Sequence, residues 1–127
     1  MGIIFQVHNE LGPSLLEKYY QRAIEKELKE QGVSFKREQS VDIFYKDEKI
    51  GKYFLDFTIE DLIILETKAQ QSYSPKFFRQ ALAYLKQLNL PLAIIVNFRT
   101  NRIDSKRIVN PLFKDKDLLE IDSKYKL

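Results

Sequence analysis

Leu92-Ala-Ile-Ile-Val-Asn-Phe98 has a continuous β-branched character, and the longest apolar run, Leu90 to Val96, is interrupted by Pro91 and far too short to cross a bilayer. Such a β-branched segment reads as a strand buried on both faces, so it calls for a sheet with helices packed on either side. Immediately before it, Ser74-Pro75 resembles an N-cap followed by a first-position proline. Phe77, Ala81, Tyr84, Leu85 and Leu88 then recur at helical spacing and predict a helix ending near Asn89. Leu62 to Ala69 reads as the preceding strand. A strand, a helix and a buried strand imply a right-handed crossover.

Upstream, two further β-like runs cover Val33 to Tyr45 and Lys49 to Ile59. Their connections to each other and to Leu62 are Lys46-Asp47-Glu48 and Glu60-Asp61. Both are too short for a parallel crossover, so an antiparallel meander is expected. Leu16, Tyr19, Tyr20, Ala23, Ile24 and Leu28 predict an opening helix from Pro13 to about Gln31, stopped by Gly32. Residues Ile3 to Leu11 form a short helix or turn before Gly12-Pro13, and Arg107 to Asn110 suit one more short strand. The fold class expected is α/β: a mixed central sheet, antiparallel meander plus crossover strand, flanked by helices in the order αβββαβ. One domain over 1–113 suits the 127-residue length, followed by a polar C-terminal tail over 114–127.

Composition narrows the chemistry. Without cysteine there is no disulfide, thiolate nucleophile or cysteine-ligated zinc, and the lone His8 cannot supply a histidine cluster. With 44% hydrophobic and 31% charged residues the chain suits a packed domain, and its net charge of +3 permits a polyanionic partner without demanding one. Met-Gly-Ile-Ile-Phe-Gln has neither a basic leader nor a myristoylation pattern. A soluble, cytoplasmic protein is expected.

Charge is most expensive where the sequence is most apolar. Asp56, Glu66 and Lys68 sit in the two runs around Glu60-Asp61, and an ion in a buried strand costs several kcal/mol unless something compensates it. A turn centred on Glu60-Asp61 sets Ile59 opposite Leu62 and Asp56 opposite Leu65, next to Glu66. Cross-strand neighbours lie roughly 4.5–5.5 Å apart, so both carboxylates would reach one cation. Glu66 and Lys68, two apart, share a face whatever the register. Hard oxygen donors without Cys or His suit Mg²⁺ or Mn²⁺ and suit zinc poorly. A cation held this way, with the Lys68 ammonium beside it, is equipment for phosphodiester hydrolysis. A structural α/β domain with incidental charges at strand ends stands as the alternative.

The order Asp56, then Glu66-Thr67-Lys68, then Gln80 early in the next helix resembles the PD-(D/E)XK nuclease superfamily, and more narrowly the GxxExxY proteins. Leu11-Gly-Pro-Ser-Leu-Leu-Glu-Lys-Tyr-Tyr-Gln-Arg-Ala-Ile24 is similar to the opening helix of that family. Ile63 to Lys68 resembles its motif strand, Gln80 to Tyr84 its second helix, and Val96-Asn-Phe98 with Lys106 to Asn110 its end. The likeness runs from about Val7 to Asn110. Ser14 stands where the family's naming glycine is expected, and Leu55 where the superfamily has proline.

The resemblance implies a restriction-endonuclease-like core and a metal-dependent phosphodiesterase. Asp56 and Glu66 would be metal ligands, Glu17 a further metal or water ligand, Lys68 would act at the attacking water, and Gln80 would orient water or substrate. Glu17 shares a helical stripe with Tyr20, Ile24 and Leu28, so an inward carboxylate seeking a partner competes with a solvated one at the stripe's edge. Gln80 also reads as an ordinary polar residue near a helix start, and Tyr20 and Tyr84 as core aromatics in supporting roles. Lys76, Arg79, Arg99, Arg102, Lys106 and Arg107 are candidates for phosphate contacts, each equally readable as solvated surface. The expected partner is nucleic acid, DNA before RNA, with a homodimer mate or an accessory protein as a source of further recognition surface. A nuclease-fold module that binds without cutting is the alternative function.

Overall fold

All six residues of β6 (Leu92–Asn97) are buried, the apolar Leu92 to Val96 as their run demands and Asn97 with its amide bonded to the Gln70 backbone. Because strand side chains alternate, Leu92, Ile94 and Val96 enter one apolar cluster while Ala93 and Ile95 enter another. β5 (Ile63–Lys68) lies parallel to β6, with Ile63 beside Leu92 and Lys68 beside Asn97, and divides its side chains the same way. Helices α1 (Gly2–Leu11) and α2 (Glu17–Glu30) cover the first cluster with Ile4, Val7, Tyr20, Ile24 and Leu28. Helix α3 (Pro75–Leu88) covers the second with Ala81 and Leu85.

The computed structural model describes residues 2–72 and 74–125. Its remaining elements are β1 (Phe35–Arg37), β2 (Ser40–Tyr45), β3 (Glu48–Phe54), β4 (Phe57–Ile59), β7 (Asp104–Val109) and α4 (Asp115–Tyr125). The five-stranded sheet runs β1-β4-β5-β6-β7, with β5·β6 its parallel pair and the other pairs antiparallel. β2 and β3 form a separate two-stranded sheet. The mixed α/β architecture with flanking helices is the one expected from the sequence.

Several details differ from the sequence expectation. The opening helix begins at Glu17 rather than Pro13, because the Tyr20 hydroxyl donates to Gly12 O and accepts from Leu15 N, holding that loop out of helical conformation. The first two β-like runs each break once, at Glu38 (φ 54°) and at Leu55-Asp56. Leu55 N donates to Gln39 O at 2.9 Å and holds the two breaks together, while the Leu55 side chain is fully buried in the second cluster. The meander is thereby split between two sheets. From Lys114 onward the sequence offers only a polar tail, yet 115–125 is helical, and Ile121 is buried against the α1/α2 side of the core. No described helix is long and apolar enough to cross a membrane.

Candidate active site

The β4–β5 turn decides how the acids meet. Glu60 and Asp61 both take positive φ, and Leu62 N closes the turn on Ile59 O at 3.0 Å. Pairing therefore starts at Ile59–Ile63 rather than at the expected Ile59–Leu62, with Leu62 as an extra residue in the connection. Phe57 faces Leu65, so the next position along places Asp56 beside Glu66 instead of opposite Leu65. A one-residue slip changes every such pairing.

Because the strand breaks at Leu55-Asp56, the Asp56 N–H turns to a side chain and donates to Glu66 Oε1 at 2.9 Å. Thr67 returns the contact, donating to Asp56 Oδ2 from its N–H at 2.8 Å and from its hydroxyl at 3.0 Å. These bonds leave Asp56 Oδ1 outside them. Glu66 is only 5% exposed, and its Oε2 accepts from the Tyr53 hydroxyl at 3.1 Å. Burial, and then the negative charge of Asp56, push the Glu66 carboxyl up to about 7. The Asp56 N–H, the Lys68 ammonium and the Tyr53 hydroxyl pull it down without cancelling that rise. The hydroxyls of Tyr53 and Tyr84 are also pushed above the ordinary tyrosine value, first by burial and then by Glu66.

Tyr53, Glu66, Lys68, Phe77, Gln80 and Tyr84 line one cleft between β5, β3 and α3. The structure thus brings together Glu66, Lys68, Gln80 and Tyr84, with Asp56 joined through Glu66. Lys68 is half-buried, its ammonium 4.4 Å from the Phe77 ring centre. Glu17 comes from the other side of the sheet, where its Oε1 accepts from Ala69 N at 3.0 Å just past the end of β5. Among the described residues no group of three or more His, Cys, Asp or Glu side chains could hold a metal ion, so Glu17 is not gathered with Asp56 and Glu66.

Tyr20 lies away from the cleft, stacked on Phe98 at 4.3 Å. Tyr84 lies in it, stacked on Tyr53 at 4.6 Å. Of the basic candidates, Lys76 and Arg79 are exposed on α3, the helix that carries Gln80. Arg99 is turned inward, with Nη2 donating to Leu15 O and Ala69 O at 3.3 Å each. Arg102 is exposed in a loop, while Lys106, 3.7 Å from Asp104, and Arg107 lie on β7, separated from β5 by β6.

Sequence reasoning missed Tyr53, Thr67, Gln21 and Arg37. Gln21 donates to Thr67 Oγ1 at 2.9 Å, and Arg37 donates to Gln21 Oε1 at 3.1 Å and to Asp56 O at 2.9 Å. Thr67 could have been found from alternation, since it must face away from Glu66 and Lys68. Nothing local marks Tyr53 or Arg37, whose roles depend on where separate strands dock.

The family described as the PD-(D/E)XK nuclease superfamily matches residues 1–108. No curated protein matches the chain. Among solved structures, the crystal structure of SSO0001 is similar at TM-score 0.57 and 18% identity, over 90% of this chain and 59% of that one. An alkaline exonuclease (LHK-Exo) from Laribacter hongkongensis is similar at TM-score 0.52 and 14% identity, over 84% of this chain and 59% of its own. At these identities the likeness is one of fold, and the chain spans less than two-thirds of either neighbour's length.

Proposed function

Because the chain belongs to the PD-(D/E)XK nuclease superfamily, we propose that it is a metal-dependent nuclease that acts in the cytoplasm and hydrolyses phosphodiester bonds, of DNA before RNA. Within the superfamily we assign it to the GxxExxY proteins, on the strength of Glu17, Tyr20 and the segments that resemble theirs. The observation that carries the functional reading is the contact of the Asp56 N–H with Glu66, whose carboxyl is pushed up by its burial and then by the nearby Asp56 charge. Such a pair fits a divalent cation. Its donors are hard oxygens, and the Thr67 bonds engage Asp56 Oδ2 and leave Oδ1 outside them.

Mg²⁺ or Mn²⁺ held by Asp56 and Glu66 would supply Lewis acidity toward a phosphate and acidify water. Lys68, on the same face as Glu66, offsets negative charge that develops on the phosphate and steers the attacking water. Gln80 shares the cleft and orients water or a phosphate oxygen by hydrogen bonding. Glu17 holds the backbone after Lys68 through Ala69 N, and it serves the centre as a further acid through water. Lys76, Arg79 and Arg102 remain the proposed backbone contacts, joined by Lys106 and Arg107 if the duplex reaches β7, whereas the inward bonds of Arg99 favour a tie between loops. Recognition surface beyond the core comes from a homodimer mate or an accessory protein.

Purified protein incubated with plasmid, single-stranded DNA and RNA in Mg²⁺ or Mn²⁺, beside Lys68→Ala, tests the reading. Metal-dependent cleavage lost in the variant supports it. Equal cleavage by both proteins sinks it. A second reading, a nuclease-fold module that binds without cutting, is favoured by the internal donors already engaged by both Glu66 oxygens and by the separation of Glu17. Salt-sensitive binding by both proteins with no cleavage is its signature.

A further inference from the structure

Tyr53 reaches the cleft from outside the main sheet. It lies on β3, whose hydrogen-bond ladder is made with β2 alone, and it pairs with Val41, a buried member of the second apolar cluster. Gln87 of α3 donates to Asp42 O and ties β2 to the helix. The Tyr53 ring stacks on Tyr84 at 4.6 Å with the planes 17° apart. Hairpin and stack together fix the phenol, which donates to Glu66 Oε2 at 3.1 Å.

Glu66 is therefore held at both ends of its carboxylate, by the Asp56 N–H at Oε1 and by Tyr53 at Oε2. A carboxylate pinned in this way cannot turn about its last bond, so its remaining lone pairs keep one direction. Part of the ordering that a metal ligand needs is then already done in the folded chain.

We infer that Tyr53 is a positioning residue for Glu66, through which the β2–β3 hairpin sets the cation affinity of the centre without touching substrate or reacting atoms. The inference rests on the metal-dependent reading above. It assigns a role to an arm that the sequence pattern left as ordinary meander.

Tyr53→Phe removes one oxygen and leaves the ring to stack on Tyr84. Tyr45→Phe removes the same group from an exposed site on the same hairpin and serves as the control. Mn²⁺ alone is titrated into each protein and followed by calorimetry and by melting temperature. Cleavage is then measured across Mn²⁺ concentration.

The Kd for Mn²⁺ is expected to rise about tenfold or more in Tyr53→Phe, in the range found when a group supporting a metal ligand is removed. Tyr45→Phe should match the wild type. The cleavage defect of Tyr53→Phe should be recovered by raising Mn²⁺. An unchanged Kd in Tyr53→Phe, with or without a lower melting temperature, overturns the inference, as does a cleavage defect that added Mn²⁺ does not recover. If the wild type binds no Mn²⁺, the metal-dependent reading falls first and the inference with it. Wild-type binding that Tyr53→Phe leaves unaltered removes the inference alone.

Discussion

The β4–β5 and β2–β3 hairpins share a backbone feature at their turns, although the β4–β5 connection carries Leu62 as an extra residue. Each passes through two consecutive residues of positive φ, Glu60-Asp61 in one and Lys46-Asp47 in the other. Their surroundings are opposite. β4–β5 lies between β1 and β6, and Phe57, Thr58 and Ile63 to Thr67 are all buried. β2–β3 has no further strand, and Phe44, Tyr45, Ile50 and Phe54 are each more than half exposed. The contrast teaches that local turn chemistry makes a hairpin, whereas its neighbours decide what its side chains must do. In the inner hairpin a buried charge needs a partner, so Glu66 accepts from the Asp56 N–H while the Asp56 carboxylate accepts from Thr67. In the outer one, large apolar side chains remain in water, and the Tyr53 hydroxyl links it to the centre.

The largest effect is expected from emptying the inner hairpin. Ile64→Ala, at a fully buried site, should cost about 2–5 kcal/mol, read as a lower midpoint in urea unfolding. A loss below about 0.5 kcal/mol would mean that the inner hairpin is no more constrained than the outer. Next comes Lys68→Ala, expected to lower cleavage about a hundredfold or more while leaving the unfolding midpoint nearly unchanged.

Smaller, and opposite in sign, is Glu66→Gln in metal-free buffer. The Glu66 carboxyl titrates near 4.5 when free and is pushed up to about 7 in the fold, so between those values the native state holds a proton that the unfolded chain has released. Stability should therefore fall as pH rises from 4.5 to 7, with the full penalty present above 7. Glu66→Gln should melt higher than wild type at pH 8 and lose that part of the pH dependence. Equal melting curves at pH 8 would show that its ionisation is already compensated. The smallest effect belongs to the outer hairpin, where Phe44→Ser should shift stability by no more than about 0.5 kcal/mol. A larger loss would show that the exposed apolar face is covered in solution.

Much of the layout was legible because it depends on short-range period. The apolar run over Leu92 to Phe98 announced a doubly covered strand, and Ser74-Pro75 with Asn89 bracketed α3, whose last turn ends in a left-handed Asn89. The breaks at Glu38 and at Leu55-Asp56 were not legible. They depend on two distant backbone segments bonding to each other, as Leu55 N does to Gln39 O. Arg99 reads as a free surface cation until the fold brings the Leu15 and Ala69 carbonyls to its guanidinium.

By itself the sequence determined that Glu66 and Lys68 share a face of β5 and that Thr67 takes the other, because side chains alternate along any strand. It also placed Asp56 within a turn's reach of them. Only the tertiary structure decided that Asp56 meets Glu66 directly, since the extra Leu62 in the turn moves the register by one residue. Only the tertiary structure, too, put the Tyr53 hydroxyl on Glu66 and Glu17 on Ala69. Those contacts join strands and helices far apart in the chain, and no local period carries that information.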